Sequence, residues 1–449
     1  MQPPLSPPLL DKILATHAVE QLSAALIQGP LVKGRYLHWD EIRHRTPPEN
    51  VASHEAWWFG IKHARQAISK PLPFRDKYGK PFVIGMPDPV FQALHRIDRD
   101  ASGHVAMDVP AVSEEDRDRY LVSSLIEEAL TSSQLEGAAT TREVAKAMLR
   151  SGRKPRDRSE RMVLNNYKVM RYLGEVRDEP LTPELVLEMH RMVTAETLDD
   201  PSAAGRFRTT DETVHVMDAQ HSTVLHTPPG ASSLPQRLQT LCDFANQGVD
   251  AKPFVHPVVR AILIHLMLGY DHPFVDGNGR TARALFYWSM AHQGYWLAEY
   301  LSISRLLRKA PARYAYAYLY TETDGNDATY FVIHQLKVIE QAIDALHEYL
   351  VRKSRQQRST EKLLRHSTAL SGRLNHRQVA LLSHALKHPG HGYSIESHRR
   401  SHNISYQTAR TDLLTLADLN LLEKDKRGRA FSFFAPDDLQ MRLQKAVTA

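Results

Sequence analysis

One cysteine, Cys242, stands in 449 residues, which excludes an internal disulfide framework and a multi-cysteine zinc site and fits a reducing compartment. Read as a small buried hydrophobe, it needs no thiol chemistry. The 24 histidines include no HExxH pair, and pairs such as His265 with His272 lack ligand companions, so zinc is not expected. Long apolar runs are missing too. The most apolar stretch, Ala261 to Tyr270, is interrupted by His265 and falls short of the roughly 18 to 20 residues a membrane span requires. The opening MQPPLSPPLL has neither a basic n-region nor a continuous apolar h-region, so the expectation is a cytoplasmic protein with no membrane association. No repeat at solenoid periods is present. With 42% hydrophobic and 24% charged residues the composition is that of a globular chain, long enough for two or three domains.

Against these absences stands a local excess of basic charge. The whole chain carries +6, and Ser371 to Ala449, with 12 basic and 7 acidic residues, accounts for +5 of it. A nucleic-acid footprint has this form, and so does a solvated basic surface.

The first 110 residues are mixed, with a Trp-rich helical stretch from Ser53 to Ile68 and a Pro-flanked apolar run from Pro81 to Ile84. Trp57, Trp58, Ile61 and Ile68 recur at helical spacing and read as core. Residues 111–346 are strongly helical. A helix spans about 113–136, with Glu114, Glu115 and Asp116 in the first turn after Ser113. Others follow over Glu143 to Leu149, Arg158 to Val176, Pro183 to Ala195, Leu234 to Asn246, Pro257 to Tyr270 and Arg280 to Gln293. Thr209 to Leu225 reads as a short hairpin. Residues 347–370, polar and basic, form a linker helix, and 371–449 a separate module.

The loop between the last two helices reads His272-Pro273-Phe274-Val275-Asp276-Gly277-Asn278-Gly279-Arg280-Thr281-Ala282-Arg283. Gly277 and Gly279 allow positive φ and close backbone approach, and the following helix begins with free N–H groups at its positive dipole end. Arg280 and Arg283, three apart near that N-terminus, offer guanidinium forks to phosphate oxygens. Asp276 supplies a hard oxygen suited to Mg²⁺, and His272 is the group that titrates near neutral pH. Each part alone has an ordinary reading as turn, cap or polar loop residue. Together they specify a polyphosphate site with a proton acceptor.

The segment fills every specified position of HxFx[DE]GNGRxxR, and the chain resembles Fic-domain proteins. FRTT at Phe207 to Thr210, then Val214-His215-Val216-Met217, resembles the family's target-binding flap, and His256-Pro257 also fits. The resemblance implies a mainly α fold: a Fic helical bundle with a β-hairpin flap, followed by a C-terminal winged-helix domain. It implies transfer of AMP from ATP to a Ser, Thr or Tyr hydroxyl of a target protein or of the chain itself, with pyrophosphate leaving. Family members that act as kinases carry Lys where this chain has Gly279, which favours nucleotidyl transfer. By the same resemblance His272 is the base, Asp276 holds Mg²⁺, Gly277, Asn278, Gly279 and Arg280 cradle the diphosphate, and Arg283 takes the γ-phosphate. Tyr314 is the preferred adenine contact over Tyr316 and Tyr320, with core packing open for all three. Phe274 reads as a buried fixer of the loop.

Ser132 to Gly137 fits [ST]xxxE[GN], the family's inhibitory motif. Gly after a helix-terminal Glu is also an ordinary C-cap. The family reading pairs Glu136 with Arg283 in the γ-phosphate site and makes the chain auto-inhibited. In some relatives the corresponding Glu positions a water that removes AMP, so deAMPylation is the alternative activity. At the C-terminus, helices near Asn375 to Lys387, Ile395 to Arg400 and Ser405 to Leu419 and a basic hairpin resemble a winged helix-turn-helix. There Gln407, Arg410 and Thr411 would face a DNA groove and Lys426, Arg427 and Arg429 would meet phosphates. A protein-contact module, or a nucleotide-sensing DNA-binding regulator, stays open, and a homodimer is compatible with the sequence.

Overall fold

The computed structural model describes residues 2–101, 114–218, 223–248, 250–366, 374–388, 390–427, 430–436 and 438–448. Ser113 and Arg429 lie outside these residues. Helix dominates, as expected, and the chain divides into two compact units: Met1–Val105 with Leu121–Asp344, and Ala106–Tyr120 with Ala345–Ala449. Among the described residues no helix is long and apolar enough to cross a membrane.

The larger unit begins with α1 Leu10–Thr16, α2 Val19–Ala25, α3 Trp39–Ile42 and α4 His54–Ile68, then the antiparallel pair β1 Ser69–Arg75 and β2 Pro81–Gly85, then α5 Asp88–Ala101. Ser53 caps α4 by accepting from the Ala56 N–H, and Trp57, Trp58 and Ile61 are buried in a core with Ile13, Leu22 and Trp39. The apolar run at Pro81 is β2. Arg65 of α4 is 1% exposed and donates to the carbonyls of Pro30 and Leu37 and to the Tyr330 hydroxyl at 2.6 Å. Its guanidinium lies 3.6 Å from the centre of the Tyr36 ring, and the Tyr36 hydroxyl donates to Asp327 at 2.6 Å. This network ties the N-terminal region to the helices that follow the motif. Truncating Arg65 to Ala is expected to destabilise this unit by about 3–5 kcal/mol, because its buried partners lose their counter-charge. A melting curve of the variant against wild type checks this.

Next come α6 Glu114–Leu135, α7 Arg142–Ser151, α8 Arg158–Glu175, α9 Pro183–Thr194 and α10 Leu234–Ala245. They are followed by α11 Pro257–Asp271, α12 Asn278–His292, α13 Ile303–Lys309 and α14 Pro311–Thr323. Nearly every side chain of α11 is buried, which explains its unbroken apolar run. Cys242 is buried on α10, and burial pushes its thiol up to about 12. The hairpin is short. Among the described residues Val216–Met217 (β3) and Val224–His226 (β4) pair as strands, while Val214 and His215 precede the ladder. α15 runs unbroken over Thr329–His366, so the linker helix expected from residue 347 continues a helix that begins at Thr329.

The second unit contains α16 His376–Lys387, β5 Gly392–Ser394, α17 Ile395–His402, α18 Tyr406–Asp418, β6 Glu423–Arg427, β7 Ala430–Phe434 and α19 Leu439–Thr448. The sheet order is β5-β7-β6, all antiparallel. Leu382, Ala385, Leu413, Leu416 and Phe433 are fully buried in its core. Asp412 of α18 accepts from Arg377 at 2.8 Å and Asn375 at 2.7 Å and sits 3.1 Å from His398, joining the three helices.

Candidate active site

The loop from His272 to Gly279 joins α11 to α12. His272 ends α11 in the left-handed region at φ 45°, its N–H bonded to the Leu268 carbonyl, and Gly277 caps α12 at φ 83°. A left-handed non-glycine residue is strained, and here neighbours hold it. Arg208 donates from Nε to the His272 carbonyl at 2.9 Å and from its own N–H to the Pro273 carbonyl at 2.9 Å, and it also bonds Pro229. Asn278 closes the loop on itself: its Oδ1 accepts from the Phe274 N–H at 3.0 Å and its Nδ2 donates to the Phe274 carbonyl at 2.8 Å. Phe274 is fully buried.

His272 Nδ1 faces the Gly269 carbonyl at 3.2 Å, so Nδ1 carries the proton and Nε2 keeps its lone pair. Burial lowers this imidazole to about 4, opposed by the Gly269 bond and the Glu136 charge. His272 is therefore neutral and ready to accept a proton through the physiological range. The acid limb of any reaction using it as base is expected near pH 4, not near 6.5. A rate profile from pH 4 to 8 checks this.

Glu136 is fixed by backbone geometry. It is the C-cap of α6, with Gly137 at φ 89°, the Gly137 N–H on the Gln134 carbonyl at 3.2 Å and the Ala138 N–H on the Ser133 carbonyl at 3.0 Å, a Schellman closure. The helix behind it is anchored by buried Glu128, which accepts from the Ser302 hydroxyl at 2.9 Å and the Ser304 N–H at 3.1 Å. The Glu136 carboxylate meets Arg283 Nη2 at 2.9 Å, and Ser132 accepts from Arg283 Nε at 2.8 Å and, through its carbonyl, from Nη2 at 3.0 Å. A methyl group on Gly279 would collide with the same carboxylate. Glu136 thus lies over the first turn of α12, where free N–H groups and Arg283 would receive an anion.

The remaining predicted residues divide. Arg280 is fully buried and donates to the Val193 carbonyl at 3.1 Å and Asp276 at 3.3 Å, so its guanidinium shapes the cradle from beneath. Asp276 is 37% exposed on its side chain, with Arg158 at 3.7 Å. Tyr314 reaches Nε2 of His265 at 2.8 Å, and its ring lies 5.8 Å from the His265 ring. Tyr316 donates to the Gln2 carbonyl, and Tyr320 stacks on His38 at 4.4 Å. The flap is held at its base by His226, between Glu322 at 2.8 Å and the Tyr270 carbonyl at 2.7 Å. His226, Glu128 and His190 were not singled out from sequence, and Arg208 was read only as part of FRTT in the flap. The legible signal was polarity on apolar helix faces: Glu128 beside Ala129 and Leu130, and His190 beside Met189 and Val193.

The Fic/DOC family profile matches residues 180–290, which include the whole loop and the flap. Residues 180–290 form a Fic domain. Over 128 residues, 28% of this chain, the sequence is 34% identical to protein adenylyltransferase Fic of Drosophila willistoni, covering 23% of that protein. A similar 34% identity over 123 residues links it to protein adenylyltransferase fic-1 of Caenorhabditis elegans, with 27% of this chain and 22% of that protein covered. The chain thus matches less than a quarter of the length of these two relatives. A Fic family protein from Desulfovibrio desulfuricans G20 superposes with a TM-score of 0.50 at 18% identity, covering 78% of this chain and 97% of that one, a likeness of fold. The profile match begins after Glu136, whose place at Arg283 comes from the fold.

Proposed function

We propose that this chain is an auto-inhibited protein adenylyltransferase that moves AMP from ATP to a hydroxyl side chain of a target protein or of itself. The observation that carries the reading is the neutral His272, with Nε2 as its accepting nitrogen, in one short loop with the α12 anion cradle and Arg283. In the reaction the target hydroxyl oxygen attacks the α-phosphorus, the bond to the bridging α–β oxygen breaks, pyrophosphate leaves, and the hydroxyl proton passes to His272 Nε2. A base so placed contributes roughly 10²- to 10⁴-fold. The backbone of Gly277, Asn278 and Gly279 stabilises the charge that builds on the leaving group, and Arg283, once released from Glu136, holds the γ-phosphate. Arg280 acts through Asp276 and the Val193 carbonyl. Among the described residues no cluster of three or more acidic, His or Cys ligands is present, but a single half-exposed carboxylate fits Mg²⁺ that takes most of its shell from water and phosphates, and Asp276 would hold it. Bound magnesium would neutralise phosphate charge. The edge of Val216–Met217, with Val214 and His215 before it, would pair with an extended target segment. Tyr314 is the residue proposed to border the adenine, from its place in the Arg283 environment. Intact-mass measurement of a Glu136→Gly protein after incubation with ATP and Mg²⁺ tests the reading: added AMP is expected, and an unmodified chain alongside unmodified added proteins would count against it.

A second activity is supported by the order α16-β5-α17-α18-β6-β7 within the C-terminal unit, helix–strand–helix–helix–strand–strand, which is that of a winged helix. Gln407 and Thr411 are exposed on α18 and Arg410 is half-buried there. We propose DNA contact through α18 and the basic strand that carries Lys426 and Arg427, with Arg429 beyond it. Gel retardation that weakens with salt and is lost on joint Ala substitution of Lys426, Arg427 and Arg429 is expected; retardation unchanged by the substitution would reject it.

A further inference from the structure

The underside of the motif loop is moulded by α9. Thr194 would clash with a methyl group on Gly277, the Val193 carbonyl accepts from Arg280, and the imidazole of His190 lies flat on Phe274 with ring centres 3.7 Å apart and planes 7° apart. His190 is fully buried. Its Nδ1 accepts the Gly205 N–H at 3.0 Å, which forces the proton onto Nε2, and Nε2 donates to the Asp276 carbonyl at 2.9 Å. Gly205 begins the segment that leads into the flap, and three residues later Arg208 bonds the carbonyls of His272 and Pro273. Residues 205–208 and 272–276 therefore run side by side, held at one end by Arg208 and at the other by His190.

An imidazole on the apolar face formed by Leu185, Val186, Met189 and Val193 costs desolvation that Leu or Phe would avoid. What it provides in return is a fixed distance between two backbone segments with different tasks. We infer that His190 is a positioning residue that sets the register of the flap stem, on the target side, against the Asp276 turn, on the nucleotide side. This rests on the AMP-transfer reading of the same site. Losing that register moves the target hydroxyl relative to the α-phosphorus while leaving the α12 cradle and Arg283 in place. A displacement of about 1 Å costs up to roughly 10²-fold in rate.

The test uses the full chain carrying Glu136→Gly, with His190→Phe, His190→Gln or no further change. Phe keeps the stack and deletes both hydrogen bonds, and Gln restores a donor near the Nε2 position. The expected result for His190→Phe is kcat lower by roughly 10- to 100-fold with KM for ATP changed less than about threefold, and partial recovery in His190→Gln. Amide hydrogen exchange is read on the same samples, where His190→Phe is expected to accelerate exchange in 205–208 and 272–277 together, at least about fivefold. Unchanged kcat, or equal losses in Phe and Gln variants that track a fall in melting temperature, would overturn the inference. If the Glu136→Gly parent itself transfers no AMP, the activity reading fails. Exchange then decides the register: joint acceleration supports it and unchanged protection rejects it.

Discussion

Glu136→Gly is expected to raise AMP transfer by roughly two orders of magnitude over wild type. Arg283 is buried, and in this structure its guanidinium is committed to the Glu136 carboxylate and to Ser132. A γ-phosphate must displace the carboxylate to reach it, breaking a charge-assisted hydrogen bond of about 1.5–3 kcal/mol, or roughly 10- to 150-fold in binding. The same carboxylate lies over Gly279, so an intact triphosphate meets negative charge where its own oxygens should sit. Removing the side chain leaves the helix end intact, because Gly137 and Ala138 still close it on Gln134 and Ser133. Arg283 then keeps Ser132 but lacks its carboxylate partner, so the variant is expected to melt lower than wild type without nucleotide and to recover more on adding ATP. Initial rates of AMP incorporation, with melting curves beside them, check both statements. Equal rates in wild type and variant would remove the inhibitory role from Glu136.

His272→Ala in the Glu136→Gly background is expected to reduce transfer by roughly 10²- to 10⁴-fold. Its backbone is held by Leu268 and Arg208, independently of the imidazole, so the loop and cradle persist and nucleotide binding should survive the substitution. That separation is the informative part: ATP affinity retained with turnover lost assigns His272 to the proton, whereas joint loss would make it a structural prop. Glu136 raises the His272 pKa, so its removal lowers a value already near 4, and the acid limb of the variant should move no higher.

The motif was legible because its chemistry is local. A proton acceptor, a hard carboxylate, two glycines and two arginines within twelve residues have few joint uses, and the chain folds them into one turn. Helix positions were legible for a similar reason: Ser53, Thr182 and Ser405 are caps with side chains on the expected N–H groups, and apolar periodicity sets the faces between them. The supports of the site were legible at most as polar residues on apolar helix faces, without their partners. Arg208 reaches His272 across 64 positions, His190 reaches Asp276 across 86 and Glu128 reaches Ser304 across 176, and no local pattern marks such partners. Asn278, through its backbone, and Arg280 read from sequence as part of a diphosphate cradle; not legible was that their side chains close the loop and brace Asp276, because a tight turn must satisfy its own buried carbonyls and N–H groups. The linker helix expected over 347–370 is, as far as His366, the continuation of α15, because a polar, basic stretch is compatible with a solvated helix.

The most direct measurement gives the Glu136→Gly protein, alone and with candidate targets, ATP labelled either on the α- or on the γ-phosphate, with Glu136→Gly/His272→Ala as control. Protein labelling from the α-position only, lost in the double variant, is expected. Labelling from the γ-position would mean phosphoryl transfer, and labelling from neither would contradict AMP transfer at this site.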